Sequence, residues 1–377
     1  MKIIVVGGGP AGLTLASLIK NNDVIVFEEH KKVGLPLHCT SLVSRFTKDF
    51  FVELLGYKIV ENYYNEVYFY TPYSVLHLRT RTPIAFRLKR PLLEEKLMDK
   101  VLKRGHVVYL GERVKKVNPK DIVSTKRSMQ YDKLVIAEGA SRILTRSLLG
   151  TGFNKERYII GIQTIVKSRD IDKHTFYTFF THHNRYFFYW LVPLGDGENA
   201  LLGAGFRLGE HHIELDKIVK YISKTLKINI KKSNNIFGGL IPLLPPQKCC
   251  IGHKIYFLGD SIPAIKPFTG GGLYGIAFLA KALAEELDTE ARAYKAKFNK
   301  LSFMLTIQYL VYQFAVRISG TWLVPYILSV LHNKGMEIRE GYYDRHELLL
   351  IEALKTVILQ PESLFDILFS LKTLLAT

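Results

Sequence analysis

MKIIVVGGGPAGLTLASLIKNNDVIVFEE, residues 1 to 29, decides the fold. Lys2 to Val6 is a short β-branched run of the kind that forms a buried parallel strand, and Gly7, Gly9 and Gly12 follow it as GxGxxG. Each glycine has a steric task. Gly7 allows the tight turn, Gly9 lets backbone approach a pyrophosphate, and Gly12 lets the next helix pack closely on the strand. That helix, Pro10 to Lys20, opens with Pro10 and Ala11 in its first turn, where a missing N–H costs nothing. Its free N–H groups and the positive end of its dipole face the phosphates. A second strand, Asp23 to Phe27, ends at Glu28 and Glu29, about 20 residues on, where a carboxylate grips ribose hydroxyls. The stretch predicts a Rossmann-like domain holding the ADP half of a dinucleotide.

Gly203, Gly205 and Gly209 in ALLGAGFRLGEHH imitate this motif at one residue too long, with no helix close behind and no ribose carboxylate. They read as a strand and its turn. The cofactor's other half is written downstream. Lys254 to Asp260 is a strand ending in Gly259-Asp260, where a carboxylate can bond a ribityl hydroxyl. Pro267 and Thr269 then lead into Gly270, Gly271 and Gly272, which open a helix from Leu273 to Leu287. Such a helix end stabilises the negative charge of a reduced flavin, so the dinucleotide is read as FAD. Between the two ends, YDKLVIAEGAS (131 to 141) is a buried strand closing on Glu138-Gly139.

A length of 377 residues suggests two or three domains, and a hydrophobic fraction of 48% without low-complexity tracts predicts folding throughout. The chain carries 52 Lys and Arg against 34 Asp and Glu, a net +18 that favours anionic partners. No nucleic-acid module accompanies that dispersed charge, so a lipid surface is the expected anionic partner and nucleic acid is not. Cys39, Cys249 and Cys250 form no CxxC, no metal site is expected, and the cysteines suit a reducing compartment. Met1 to Val6 is too short an apolar run for a signal peptide, and the expectation is a cytoplasmic protein, peripheral on the inner face of the membrane.

YIIGIQTIVKS, HTFYTFFTHH, RYFFYWLVP and NALLGAGF, between residues 157 and 207, are strand-like runs parted by polar turns and predict an aromatic-rich antiparallel sheet. Beyond residue 288 the chain reads helical. Residues 301 to 316 carry no formal charge, too few to span a bilayer, and Ser302, Thr306, Tyr309, Gln313 and Arg317 recur as one polar stripe. Gly320 and Pro325 break the next uncharged stretch. The helices are read either as a cap on the FAD domain or as a surface lying on the membrane. The expected organisation is an FAD-binding domain from 1 to 150 with a β insertion near 58 to 88. A substrate sheet follows from 151 to 247, the second part of the FAD domain from 248 to 288, and a helical region from 289 to 377.

GGGPAG, the acid-Gly-Ala-Ser turn and GDS with PFTGGG together resemble the para-hydroxybenzoate hydroxylase superfamily of FAD proteins, with Glu138 where Asp is usual. Within it the chain resembles the archaeal geranylgeranyl reductase family. GLPLHCTSLVS (34 to 44) is similar to a segment that implies Cys39 over the flavin. FRLKRPLLEEKL (86 to 97) resembles one that sets Arg90 against the cofactor, with Val114 expected among the same set. FYWLVP (188 to 193) resembles the substrate motif YxWxFP, and KPFTGGGLYGIAF (266 to 278) is the most specific stretch. Trp190 and Pro193 are retained, whereas Phe188, Val192 and Ser41 depart from the family's Tyr, Phe and Gly.

The resemblance implies an FAD-dependent oxidoreductase that saturates C=C bonds of geranylgeranyl or other polyprenyl chains of membrane lipids. Hydride would come from flavin N5 with a proton from His38, Cys39 or Tyr189. Trp190 and Tyr189 would border the alkene, where aromatic faces stabilise cationic character, and Phe188, Val192 and Pro193 would line the substrate. The alternatives are a monooxygenase or halogenase of the same superfamily and a flavoprotein passing electrons to membrane quinone. NAD(P)H, ferredoxin and a small quinol carrier all stay open as electron donor, so an electron-donor protein is a candidate partner.

Overall fold

The strand Lys2–Val6 forms as expected and is buried almost throughout, with Ile3, Ile4 and Val5 at zero exposure. In the computed structural model, which describes residues 1–35, 39–210, 214–289 and 291–367, it lies inside a six-stranded sheet. The order across that sheet is Cys250–Ile251, Ile255–Phe257, Lys133–Ile136, Lys2–Val6, Asp23–Phe27, Val107–Tyr109. All neighbours are parallel except the Cys250–Ile251 edge. Parallel strands are covered on both faces, which is why KIIVV is an unbroken apolar run and not an alternation.

The helix after it spans Pro10–Leu18, shorter than the expected end at Lys20 because Ile19 turns extended at ψ 134. Asp288, at the end of the helix Leu273–Thr289, accepts hydrogen bonds from the N–H groups of Lys20 (2.8 Å) and Asn21 (3.0 Å). The sequence-distant second part of the FAD-type domain is thereby fastened beside the first. The chain divides into one unit of Met1–Val60, Leu88–Tyr158 and Leu240–Thr306 and another of Glu61–Arg87, Ile159–Gly239 and Ile307–Thr377.

The second unit is built on a seven-stranded sheet. Its order is Lys231–Pro242, Tyr158–Lys167, Asn199–Arg207, Tyr189–Pro193, Thr175–Phe179, Glu66–Tyr70, Val75–Arg79. The last two strands come from the early segment 61–87. Glu66–Tyr70 runs parallel to Thr175–Phe179, while the neighbouring aromatic-rich strands are antiparallel, as the turn-punctuated sequence predicts. The helix Leu215–Leu226 lays Leu215, Ile218, Val219 and Ile222 onto one face, against Tyr189, Leu191, Leu202 and Phe179.

The C-terminal helices are Ala293–Ile318, Leu323–Asn333 and His346–Leu359. The break between the first two falls at Gly320, whose φ of 135 few other residues adopt. The fold is thus the expected one: a Rossmann-like FAD-binding architecture of the para-hydroxybenzoate hydroxylase type, a second sheet that is antiparallel apart from the Glu66–Tyr70 and Thr175–Phe179 pair, and a helical C-terminal region.

Candidate active site

Gly7 sits at φ 108, and a side chain there would collide with the Ala137 carbonyl at the end of Lys133–Ile136. The turn therefore draws the GGGPAG loop against the EGAS turn. Glu28 is buried at 8% exposure, and its carboxylate accepts from Gly8 N (2.7 Å) and His30 N (2.8 Å), which fixes it at the end of its strand. The Pro10–Leu18 helix has no side-chain cap, and nothing lies within 4 Å of where a Gly9 Cβ would stand. Open space before bare helix N–H groups is the geometry a pyrophosphate needs. Glu29 is exposed and pairs with Arg113 at 3.6 Å, and Val114 is buried at 5% exposure in the adjoining strand.

Glu138, expected among the cofactor-binding residues, is engaged by the backbone that follows it. Its carboxylate accepts from the N–H groups of Leu144 (2.9 Å) and Thr145 (2.6 Å) and so caps the helix Ile143–Leu149. The backbone of Gly139, at φ 75 with nothing within 4 Å of its Cβ position, is what this turn leaves open.

At the other end, Ile255–Phe257 runs into a single 3-10 turn, Gly259–Ser261, with Gly259 at φ 69. Burial pushes the Asp260 carboxyl up to about 6, against the opposing pull of Arg90 and Arg142. Arg90 opens the helix Arg90–Lys103 and donates through Nε (3.1 Å) and a terminal nitrogen (2.6 Å) to Glu94. Burial works to lower its pKa, but Glu94, then Cys39 and Asp260, hold it above the ordinary value. Arg90, Cys39 and Asp260 therefore share one electrostatic neighbourhood. Lys266 is 2% exposed, and its carbonyl accepts from Gly270 N (2.8 Å), shaping the turn from Pro267 through Gly272 that opens the helix at Leu273.

Cys39 is half-buried, and its Sγ accepts from Ser41 N at 3.2 Å. Ser41 is fully buried at φ 62, a left-handed conformation that glycine adopts at least cost. The glycine of the resembled family is thus the residue this backbone favours. His38 lies outside the described residues.

Sequence reasoning missed Arg142. It is 2% exposed at φ 48, and its guanidinium donates to the Ser261 carbonyl (3.1 Å) and Gln247 Oε1 (2.5 Å). It bolts the EGAS turn to the GDS turn. Its place directly after EGAS was the available signal. The open Gly9 and Gly139 backbones, the held Glu28 and the Asp260 turn form a set into which FAD fits.

In the second unit, strand alternation separates two residues that sequence reasoning had placed together. Tyr189 faces the Leu215–Leu226 helix in a core with Phe206 and Leu191, at 3% exposure, and burial raises its phenol pKa. Trp190, one residue on, points to the opposite face. The pairing of Tyr189 with Trp190 beside the alkene is corrected accordingly: Tyr189 is core. Phe188 and Val192 share Trp190's face, where Phe180 meets Phe188 at 5.2 Å between ring centroids. Pro193 ends the strand, and its carbonyl accepts from the Tyr64 hydroxyl at 2.5 Å.

Register places three rows on the Trp190 face: Ile165-Leu201-Val192-Phe176-Val67, Gln163-Gly203-Trp190-Thr178-Phe69 and Gly161-Gly205-Phe188. None of the side chains in these three central rows is ionisable; the outer rows of the same face, Ile159-Arg207 and Lys167-Asn199, carry Arg207 and Lys167. The imitation glycine motif is explained here too. Gly203 and Gly205 stand in mid-strand, where the rings of Trp190 and Phe187 occupy their side-chain space.

These features define a class, the FAD-dependent oxidoreductases of the para-hydroxybenzoate hydroxylase fold. Within it the resemblance to the archaeal geranylgeranyl reductase family is borne out by relatives. The chain is 23% identical over 318 residues to digeranylgeranylglycerophospholipid reductase 2 of Methanothermobacter thermautotrophicus, covering 77% of this chain and 78% of that one. It is 28% identical over 308 residues to an uncharacterised protein of Methanocaldococcus jannaschii, covering 75% and 74% respectively. Among solved structures it is similar to a geranylgeranyl bacteriochlorophyll reductase-like protein from Thermoplasma acidophilum, with TM-score 0.70 and 18% identity over 98% of both chains. A flavin-dependent brominase shares the fold at TM-score 0.67 and 14% identity, over 87% of this chain and 89% of that one. No family model matches the chain.

Proposed function

We propose that the chain reduces C=C bonds in the isoprenoid chains of membrane lipids or related polyprenyl compounds, working at the membrane surface. The observation that carries this reading is the centre of the Trp190 face, whose three middle rows hold Phe188, Val192 and Phe176 and no ionisable group, between outer rows that carry Arg207 and Lys167. Such a centre suits an uncharged hydrocarbon, with the cations Arg207 and Lys167 in the outer rows. The relatives named as digeranylgeranylglycerophospholipid reductases support the same substrate class.

FAD, when bound and reduced, would supply the hydride equivalent for one alkene carbon. Gly7, Gly9, Gly12 and Glu28 would hold its ADP half, with Glu29 and Val114 flanking. Arg90, Asp260 and the turn from Thr269 to Gly272 would hold the remainder, aided by the Gly139 backbone. Cys39, whose Sγ accepts from Ser41 N, is the described thiol that would deliver a proton to the other alkene carbon. The Trp190 ring would face developing positive charge.

Access to a lipid is supported by the C-terminal helices. Ala293–Ile318 is 26 residues, longer than the uncharged run alone suggested, and is long and apolar enough to cross a bilayer. Only 39% of its apolar window is buried. Its outward side chains include Leu310 at 61% and Phe314 at 62% exposure, and His346–Leu359 exposes Leu354 (61%) and Ile358 (67%). Helices with such faces lie in the headgroup region.

The deciding test is chemical. The FAD-loaded protein, reduced anaerobically, is mixed with unsaturated archaeal-type lipid and the products are weighed by mass spectrometry. Gains of two daltons per double bond are expected. Their absence, with the flavin fully reduced, would sink the reading.

A further inference from the structure

Gln163 and Trp190 are both in register with Gly203, one from each side, so the three form a row on one face of the sheet. Gly203 contributes no side chain. The Trp190 ring leans into the vacant space, and a Cβ at Gly203 would stand 2.5 Å from its Cε2. Nε1 is bonded to Cε2 and so belongs to the ring edge that borders this space. Trp190 is 8% exposed and Gln163 2%. Among the described residues neither Trp190 Nε1 nor Gln163 Oε1 has a hydrogen-bond partner. Thr178, the other polar member of the row, has its hydroxyl committed to the Tyr68 carbonyl at 3.2 Å.

Buried polar groups are nearly always partnered, because an unmet donor or acceptor keeps its full desolvation cost. Here the orphans are of opposite kind and share one row. One oxygen carrying a hydrogen satisfies both, accepting from the indole N–H and donating to the amide carbonyl. A hydrocarbon satisfies neither.

We infer that Trp190 Nε1 and Gln163 Oε1 form a polar subsite within the apolar sheet face and bind a single O–H oxygen there. Two sources provide that chemistry, the hydroxyl of a polyprenyl alcohol and a water molecule. The alcohol source rests on the isoprenoid reading above. The subsite itself does not.

Calorimetric titration of the FAD-loaded full chain with geranylgeraniol and with geranylgeranyl methyl ether separates the sources. The ether can accept from Trp190 but has no hydrogen for Gln163. If the hydroxyl is the ligand, the alcohol binds about tenfold more tightly than the ether, and the preference shrinks to about twofold or less in Gln163→Leu. Gln163→Met gives the same comparison should the leucine variant fold poorly.

If alcohol and ether bind alike, a high-resolution crystal structure of the ligand-free chain decides. An oxygen within about 3.2 Å of both Nε1 and Oε1 assigns the subsite to water. Equal binding together with no such oxygen overturns the inference. If neither compound binds, the isoprenoid reading fails alone, and the crystallographic oxygen still decides the subsite.

Discussion

Asp260 in the FAD-free chain is pushed up to about 6 from an ordinary 3.8 by burial. Because the folded value is the higher one, its favourable contribution is complete below pH 3.8 and is lost as pH rises through 6. A carboxyl raised that far corresponds to about 3 kcal/mol, so above pH 6 the apo fold carries a strain that a bound ligand's hydroxyls can relieve. Asp260→Asn should therefore melt higher than wild type in FAD-free protein at pH 7, with the gap closing toward pH 4, while binding FAD more weakly. Thermal melts across that range check it, and a gap independent of pH would refute the assignment. Arg142 opposes the same rise, so Arg142→Met should move the wild-type melting profile's midpoint to higher pH and weaken FAD binding; an unmoved midpoint would leave Arg142 a structural bolt only. Glycines and strand-end acids were legible in the sequence because backbone sterics dictate the residue type at those turns. Arg142 and Gln163 were not, since Ser261, which Arg142 bonds, and Trp190, which shares a row with Gln163, are brought near them only by the fold.

Strands, helices and their punctuation were legible from residue period and turn chemistry, down to the break at Gly320. What the motif FYWLVP hid was its own alternation. Read as a string it offers Tyr189 and Trp190 equally, whereas a pleated strand gives one to the helix-covered core and the other to the opposite face. Tyr189→Phe should leave turnover within about twofold, for it removes only a hydroxyl from that core. Loss of most activity would return Tyr189 to the site. The mid-strand glycines make a sharper test of packing. An alanine at Gly203 would stand 2.5 Å from the Trp190 ring and 2.6 Å from the Ile162 carbonyl, and the carbonyl, tied into the sheet, cannot yield far. Gly203→Ala should cost about 1–3 kcal/mol in denaturant unfolding and shift the fluorescence of the Trp190 ring. A neutral change would mean the face is looser than its register implies.

Over the whole molecule, a net charge of +18 and two exposed apolar helix faces meet in one chain. The polar stripe of Ser302, Thr306, Tyr309 and Gln313 does not face water as the centre of an amphipathic helix. It borders the exposed face, and Phe303, Leu310 and Phe314 occupy the centre at 69%, 61% and 62% exposure. The opposite side, with Leu301, Leu305 and Tyr312, is buried. An aqueous protein gains nothing from three such side chains along one helix face, whereas each is worth about 1.5–3 kcal/mol when taken into an apolar phase. Basic residues would add attraction to anionic headgroups that salt screens, leaving the apolar part. The full chain should float with phosphatidylglycerol vesicles, partly release in molar salt, and float less with phosphatidylcholine. The double variant Leu310→Asp, Phe314→Asp should lose at least about tenfold in vesicle affinity. Its melting temperature should not fall, because both side chains already face solvent in the free protein. Equal flotation of variant and wild type would remove the helix from the membrane contact and leave charge alone to account for it.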